Sequence, residues 1–245
     1  GSRATLRVVE ALGSLFERRK KTEEAREIYG NYLQENPDSQ VLFPALTRIE
    51  AGLPAPKLIQ SAIDGAAEVL FNLAGTLTRE NSAENALIYG RLSLQMRPDY
   101  PIAQMLVGRV LETLERPRDA IDVYDAVSRN SPLSWSARLR KAENLGKLGQ
   151  EEQAIEQLRL MVETESVRAD VLVKLGDILR SNKRFSESVE AYDMAIEHIG
   201  AIKERHWILL YSRGIALERS KQWSRAEKDF LAALKLNPNQ PYILN

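Results

Sequence analysis

The sequence predicts an all-α fold of stacked helical hairpins, and three observations carry the prediction. Small residues return at fixed intervals: Ala86, Ala120 and Ala154 are 34 apart and the next step lands on Ser188. A step stretched by four reaches Ala226, and Ala25 stands 61 before Ala86. Twelve residues before each of these anchors stands a second small residue: Gly13, Ala74, Gly108, Ala142, Gly176 and Gly214. Four residues after stand Tyr29, Gly90, Tyr124, Leu158, Tyr192 and Phe230, and twelve after stand Pro37, Pro98, Pro132, Ser166, Gly200 and Pro238. A period of this length marks an array of helix pairs, each burying its apolar face on the next.

Within a unit the pattern reads as two antiparallel helices. The two small residues sit where the helices cross, the large residue fills the gap beside that crossing, and the proline ends the second helix. The units are residues 6–39, 67–100, 101–134, 135–168, 169–202 and 207–240, in one solenoid spanning 1–245. Residues 40–66 are too short for a full unit and read as a degenerate hairpin, which gives seven pairs. There Ser39 is expected to cap a helix over 40–51 with Pro44 in its first turn, and Gly52 to end it. Leu53-Pro54-Ala55-Pro56 would be a stiff linker that kinks the array, and a short helix is expected from Lys57 to Asp64. The extra four residues before Trp207 are expected to add about one helical turn. Pro241–Asn245 reads as the start of a further unit, so the chain is expected to be part of a longer protein.

The recurrence of small, small, aromatic and proline in phase over six units resembles the tetratricopeptide repeat (TPR) family. The resemblance implies a right-handed superhelix whose first helices line a concave face that grips protein or peptide ligands. A narrower resemblance rests on Trp207–Arg219, Trp223 and Ala226-Glu227, which are similar to multi-TPR proteins of alphaproteobacteria. Many of those carry export signals, so the resemblance implies a bacterial protein with a lean towards the cell envelope.

Composition removes other classes. The 34 basic and 34 acidic residues balance, which argues against a general nucleic-acid binder. No cysteine is present, so thiolate metal sites and disulfides are excluded, and no run approaches the ~20 apolar residues that span a bilayer. His198 and His206 stand eight apart rather than the three or four that suit a helical metal pair, and are expected to face solvent. No phosphate-binding glycine run exists, and two histidines leave little scope for a serine nucleophile. No catalytic, cofactor or metal residue is assigned, and the chain is read as a non-catalytic scaffold.

Transferred position by position, the concave face of the resembled family would include Arg7, Glu10, Ser14, Glu17, Glu68, Gly75, Ile102, Leu106 and Glu112. The residues singled out for partner binding are Phe71, Asn72, Arg79, Met105, Arg109, Leu139, Arg140, Lys174, Asp177 and Tyr211. Phe71, Met105, Leu139 and Tyr211 are apolar anchors, and Arg109, Arg140 and Lys174 a basic line suited to an acidic peptide. The carboxylate clamp of chaperone-binding relatives is disfavoured, because Asn72 alone matches it. Arg138, Lys141 and Arg213 occupy places that are usually apolar. They are read as snorkelling side chains, with Arg138 stacked on Trp135, or as a second basic site. Trp207 and Trp223 are expected to close the core of the last unit. A region of a larger enzyme and a self-associating module are the rival readings.

Overall fold

The computed structural model describes residues 5–36, 39, 41–164 and 168–238. Pro37, Gln40, Ser166 and the segment 241–245, which carry some of the expectations above, lie outside the described residues. Among the described residues the chain forms thirteen α-helices and one 3-10 turn, with no strand. Residues up to Ala137 form one compact unit and those from Arg138 a second.

The first unit holds α1 (Leu6–Arg18), α2 (Thr22–Glu35), α3 (Phe43–Glu50), α4 (Ala62–Arg79), α5 (Ala83–Met96), α6 (Pro101–Thr113) and α7 (Pro117–Asp125). Next comes α8 (Ser134–Lys147), whose start belongs to the first unit and whose remainder belongs to the second. The second unit continues through α9 (Glu151–Thr164), α10 (Ala169–Ser181), α11 (Phe185–Ile199), the 3-10 turn Glu204–His206, α12 (Trp207–Arg219) and α13 (Trp223–Leu236).

The hairpin crossings follow a simple steric rule. A Cβ placed on Gly13, Gly108, Gly176 or Gly214 would fall 2.2–2.6 Å from the ring of Tyr29, Tyr124, Tyr192 or Phe230 respectively. Carbon atoms normally stop near 3.5 Å, so the ring occupies the space that the missing side chain vacates. Where the large residue is absent the glycine is not needed: Ala74 stands with Gly90, and Ala142 with Leu158. The anchors themselves are closed off: Ala25, Ala86, Ala120, Ala154 and Ala226 are all buried. Ser188 fits the same place because its hydroxyl donates to the Gly176 carbonyl at 2.8 Å, which satisfies a polar group in a dry crossing.

The turns inside the hairpins share one geometry that the sequence hides. Lys20, Asn81, Glu115, Gly149, Lys183 and Lys221 all have φ between 55° and 70°, and each stands five residues before an anchor. The amide of the next residue donates back across the turn, as from Lys21 to Phe16 (2.9 Å) and Arg184 to Leu179 (2.9 Å), which satisfies carbonyls left open at the helix end. Only one of the six is the glycine that this backbone favours.

Residues 40–66 depart from the expected hairpin. They contain a single complete helix, α3, with Leu42 rather than Ser39 at its N-cap and Pro44 in its first turn. Gly52 (φ 66°) ends it as expected, with Leu53 N–H donating to the Arg48 carbonyl at 3.0 Å. No helix runs over Lys57–Asp64: the chain stays non-helical up to Ser61, which opens α4 through a reciprocal capping box with Asp64. The two prolines and the strong cap at Ser61 delay helix formation. The described residues therefore form six pairs plus one lone helix.

Four smaller expectations are also corrected. α7 stops at Asp125, seven residues before Pro132, where the buried Gln104 amide donates to the carbonyls of Ala126 (3.1 Å) and Pro98 (3.0 Å). The four-residue extension forms a loop and a 3-10 turn rather than more helix, because Gly200 at φ 67° turns the chain out of α11. Trp223 starts α13 but is 63% exposed, so it does not close the core. Arg213 does not snorkel: it grips both carboxylate oxygens of Asp229 at 2.7 Å and Asp193 at 2.7 Å, tying α11, α12 and α13 together. Arg138 is buried.

Candidate partner-binding groove

The first helices of the hairpins in the first unit bring part of the expected face together. Phe71, Asn72, Gly75 and Arg79 of α4 line a cavity of about 680 Å³ with Ile102, Met105, Leu106 and Arg109 of α6. The floor is apolar. Arg7 and Glu10 of α1, expected on the concave face, close one side together with Leu6, Thr5 and Val41, and Leu133 and Ser136 close another.

Charge in the cavity is unevenly satisfied. Arg7 donates through Nε to Glu68 Oε1 at 2.7 Å and through Nη2 to Glu68 Oε2, and pairs with Glu10 at 3.2 Å. The Tyr100 hydroxyl donates to the same Glu68 carboxylate at 2.6 Å, and its ring packs 5.5 Å from Phe71 and 4.6 Å from the Arg97 guanidinium. Burial works to raise the Glu68 carboxyl, but the hydrogen bonds from Arg7 and Tyr100 bring it below its ordinary value. Burial raises Glu10 above its ordinary value, against the lowering effect of Arg7. Arg79 reaches only the Thr76 hydroxyl at 3.0 Å, and among the described residues Arg109 has no ion pair. Arg79 and Arg109 are therefore exposed cations beside an apolar floor, without an ion pair among the described residues, while Arg7 is neutralised. Such a combination fixes a carboxylate through charge-assisted hydrogen bonds while its neighbour is desolvated.

The other selected residues are placed differently. Leu139 and Arg140 are half-buried on α8, where the Arg140 carbonyl accepts from the Asn144 amide at 2.8 Å. Lys174 and Asp177 line a second, polar cavity of about 460 Å³ in the second unit, with Glu143 and Lys147. Lys174 is paired with Glu143 at 2.8 Å, so the expected basic line of Arg109, Arg140 and Lys174 is not a run of unneutralised cations. Asp177 accepts the Tyr192 hydroxyl at 2.7 Å, and Tyr211 packs on Phe230 at 5.9 Å, so both serve their own hairpins. Glu17 and Glu112 take the hydroxyls of Tyr29 (2.8 Å) and Tyr124 (3.1 Å); Glu17 is further covered by Arg48 of α3 and does not face a groove. His198 is exposed, and His206 Nδ1 accepts the Lys203 amide at 3.0 Å.

The clasp of Arg7 and Glu68 had a legible signal. They occupy the same register place in successive repeats with opposite charge, 61 residues apart. Tyr100, Val41 and Leu133 had none, because they lie in connections that the repeat does not govern. No group of three or more metal-ligating side chains stands together among the described residues, and no helix there is long and apolar enough to cross a membrane.

Comparison with known proteins gives a consistent picture. Tetratricopeptide repeat families match residues 11–39, 105–164 and 207–240, which together take in half of the chain. The general transcriptional corepressor ssn6 of Schizosaccharomyces pombe is 26% identical over 133 residues, 54% of this chain. The aligned part is 12% of that relative's length. Among solved structures, MamA of Desulfovibrio magneticus RS-1 superposes with a TM-score of 0.60 at 22% identity, over 72% of this chain and 97% of that one. YrrB, described as a TPR protein with an unusual peptide-binding site, gives 0.56 at 19% over 75% and 96%. PilF of Pseudomonas aeruginosa gives 0.59 at 15% over 75% and 82%. At these identities the structures share the fold.

Proposed function

Because the chain belongs to the tetratricopeptide repeat family, we propose that it is a non-catalytic protein-interaction scaffold whose groove between α4 and α6 holds a segment of a partner protein. The observation that carries this reading is the placement of Arg79 and Arg109, exposed and without carboxylate partners among the described residues, beside the apolar floor of a groove of about 680 Å³. Phe71, Ile102 and Met105 would take an apolar side chain, and the two guanidinium groups a carboxylate beside it. An acidic, partly apolar peptide is the ligand class. An assembly at a bacterial cell envelope is the setting proposed, on the narrower resemblance of the last repeat. A peptide-binding neighbour such as YrrB supports a peptide as ligand, within the limit that the likeness is one of fold.

Selection from a displayed random peptide library tests this. The chain should enrich sequences that place Asp, Glu or a chain-end carboxylate next to apolar residues. Arg79→Glu/Arg109→Glu should lose them while keeping its helical circular dichroism. An identical enriched set from both proteins overturns the reading.

A second reading, a docking region within a larger protein, is favoured by one observation: the aligned part of the corepressor is 12% of its length. Neighbouring sequence on the same gene decides it, since a catalytic domain there would make this chain its substrate-docking arm.

A further inference from the structure

The wall that α1 contributes to the groove is attached in an unusual way. α1, α2 and α3 are tied to one another: Arg48 of α3 grips Glu17 of α1 at 2.7 and 3.0 Å, and Tyr29 of α2 donates to the same carboxylate at 2.8 Å. Their chain link to α4 is the non-helical run of residues 52–60, most of it exposed. Gly52 starts that run at φ 66°, Pro54 and Pro56 stiffen its middle, and the capping box of Ser61 and Asp64 fixes where α4 begins, which confines bending to the two ends of the run. Across the cavity mouth the two sides are held by Arg7 on Glu68, with Tyr100 behind it; the linker itself is pinned by the Ser14 hydroxyl donating to the Pro56 carbonyl at 3.2 Å.

We propose that α1–α3 form a roof over part of the groove, hinged at residues 52–60 and clasped by Arg7 on Glu68, and that lifting it widens the groove for a partner segment. This deepens the reading above by naming how access to the same groove is controlled. The clasp is suited to switching. It is one bidentate ion pair between α1 and α4, with side chains only 16% and 13% exposed, so its loss changes the closed state without removing any hairpin crossing. An incoming acidic segment would compete with Glu68 for Arg7 as it passes, so arrival and opening are coupled.

The absence of native cysteine gives a direct test. Met105→Cys places one thiol on the groove floor, and Ala120→Cys places one in the closed hairpin core. Their labelling rates with a small aromatic disulfide reagent are compared in three backgrounds: the parent chain, Arg7→Ala, and Glu68→Gln, which keeps the Tyr100 contact. Opening predicts that both clasp variants label Met105→Cys about tenfold faster, the scale of one charge-assisted hydrogen bond, with Ala120→Cys unchanged. The exchanged pair Arg7→Glu/Glu68→Arg should return the rate towards the parent value. An unchanged rate at Met105→Cys in both variants overturns the roof, as does an equal rise at Ala120→Cys, which would mean general loosening. No peptide enters the assay, so its failure leaves the peptide reading to its own test.

Discussion

Gly108→Ala is the substitution that best tests the rule read from the hairpin crossings. The new Cβ would stand 2.4 Å from Tyr124 Cε1, 2.5 Å from Cζ and 2.9 Å from the hydroxyl. Each contact is too short by about 1 Å, and the ring has nowhere to go, since Tyr124 is 1% exposed and its hydroxyl is held by Glu112 at 3.1 Å. Overpacking costs about 1–3 kcal/mol, and contacts this short belong in the upper part of that range, about 2–3 kcal/mol, offset by about 1 kcal/mol from replacing a mid-helix glycine with alanine. The net expectation is a loss of about 1–2 kcal/mol. With Tyr124→Leu as background the clash disappears, as it has at Ala142 and Leu158, and the same change should gain about 1 kcal/mol. The coupling between the two sites is therefore about 2–3 kcal/mol. Urea unfolding of the four proteins by circular dichroism measures it. Hydrogen exchange of α6 and α7 runs alongside, because repeat arrays unfold unit by unit rather than in one step. A Gly108→Ala protein as stable as the parent, or the same effect in both backgrounds, refutes the argument. The result also bears on the groove, because α6 carries Met105 and Arg109, and a shifted α6 should weaken peptide capture.

Three further outcomes are expected. Lys183→Gly and Glu115→Gly should each raise stability by about 1 kcal/mol by relieving a left-handed residue, and Gly149→Ala should lower it by about as much; thermal melts that rank them otherwise refute the shared turn geometry. Arg213→Met should cost about 3 kcal/mol by stranding the buried Asp229 carboxylate, and Arg213→Met/Asp229→Leu should recover most of it; equal losses in single and double variants would contradict this. His206 is held below its ordinary value by burial, and then by the charges of Arg205 and Lys203. Its contribution to folding is therefore complete above about pH 6.5 and is lost as pH falls through its lowered folded value. With only two histidines, an NMR titration resolves it from His198, and a midpoint above about 6.5 for His206 would overturn the assignment.

How much of this was legible depends on distance along the chain. The hairpins could be read because each crossing is local: Gly108 and Tyr124 are 16 apart, and the same steric problem recurs in phase. Phe71, Asn72, Arg79, Met105 and Arg109 fell on one cavity because a helix of fixed pitch sends the same register places to the same face. Charge state was not legible. Lys174 looked like Arg109 in the sequence, yet it is neutralised by Glu143 from the neighbouring helix, and Arg213 by two aspartates.

Sequence alone determined the all-α class, the hairpin period and which residues cross, since all of these follow from side-chain volume and helical pitch over a few turns. Tertiary structure alone decided that residues 40–66 yield one helix and a non-helical linker, and that α1 walls the groove beside α4. The same is true of Tyr100 meeting Glu68 across 32 residues and Arg7 meeting it across 61. Those contacts break the repeat, so no periodicity announces them. They form where α3, packed on the first hairpin, stands in place of a full pair and the charged inner face of that hairpin meets the next.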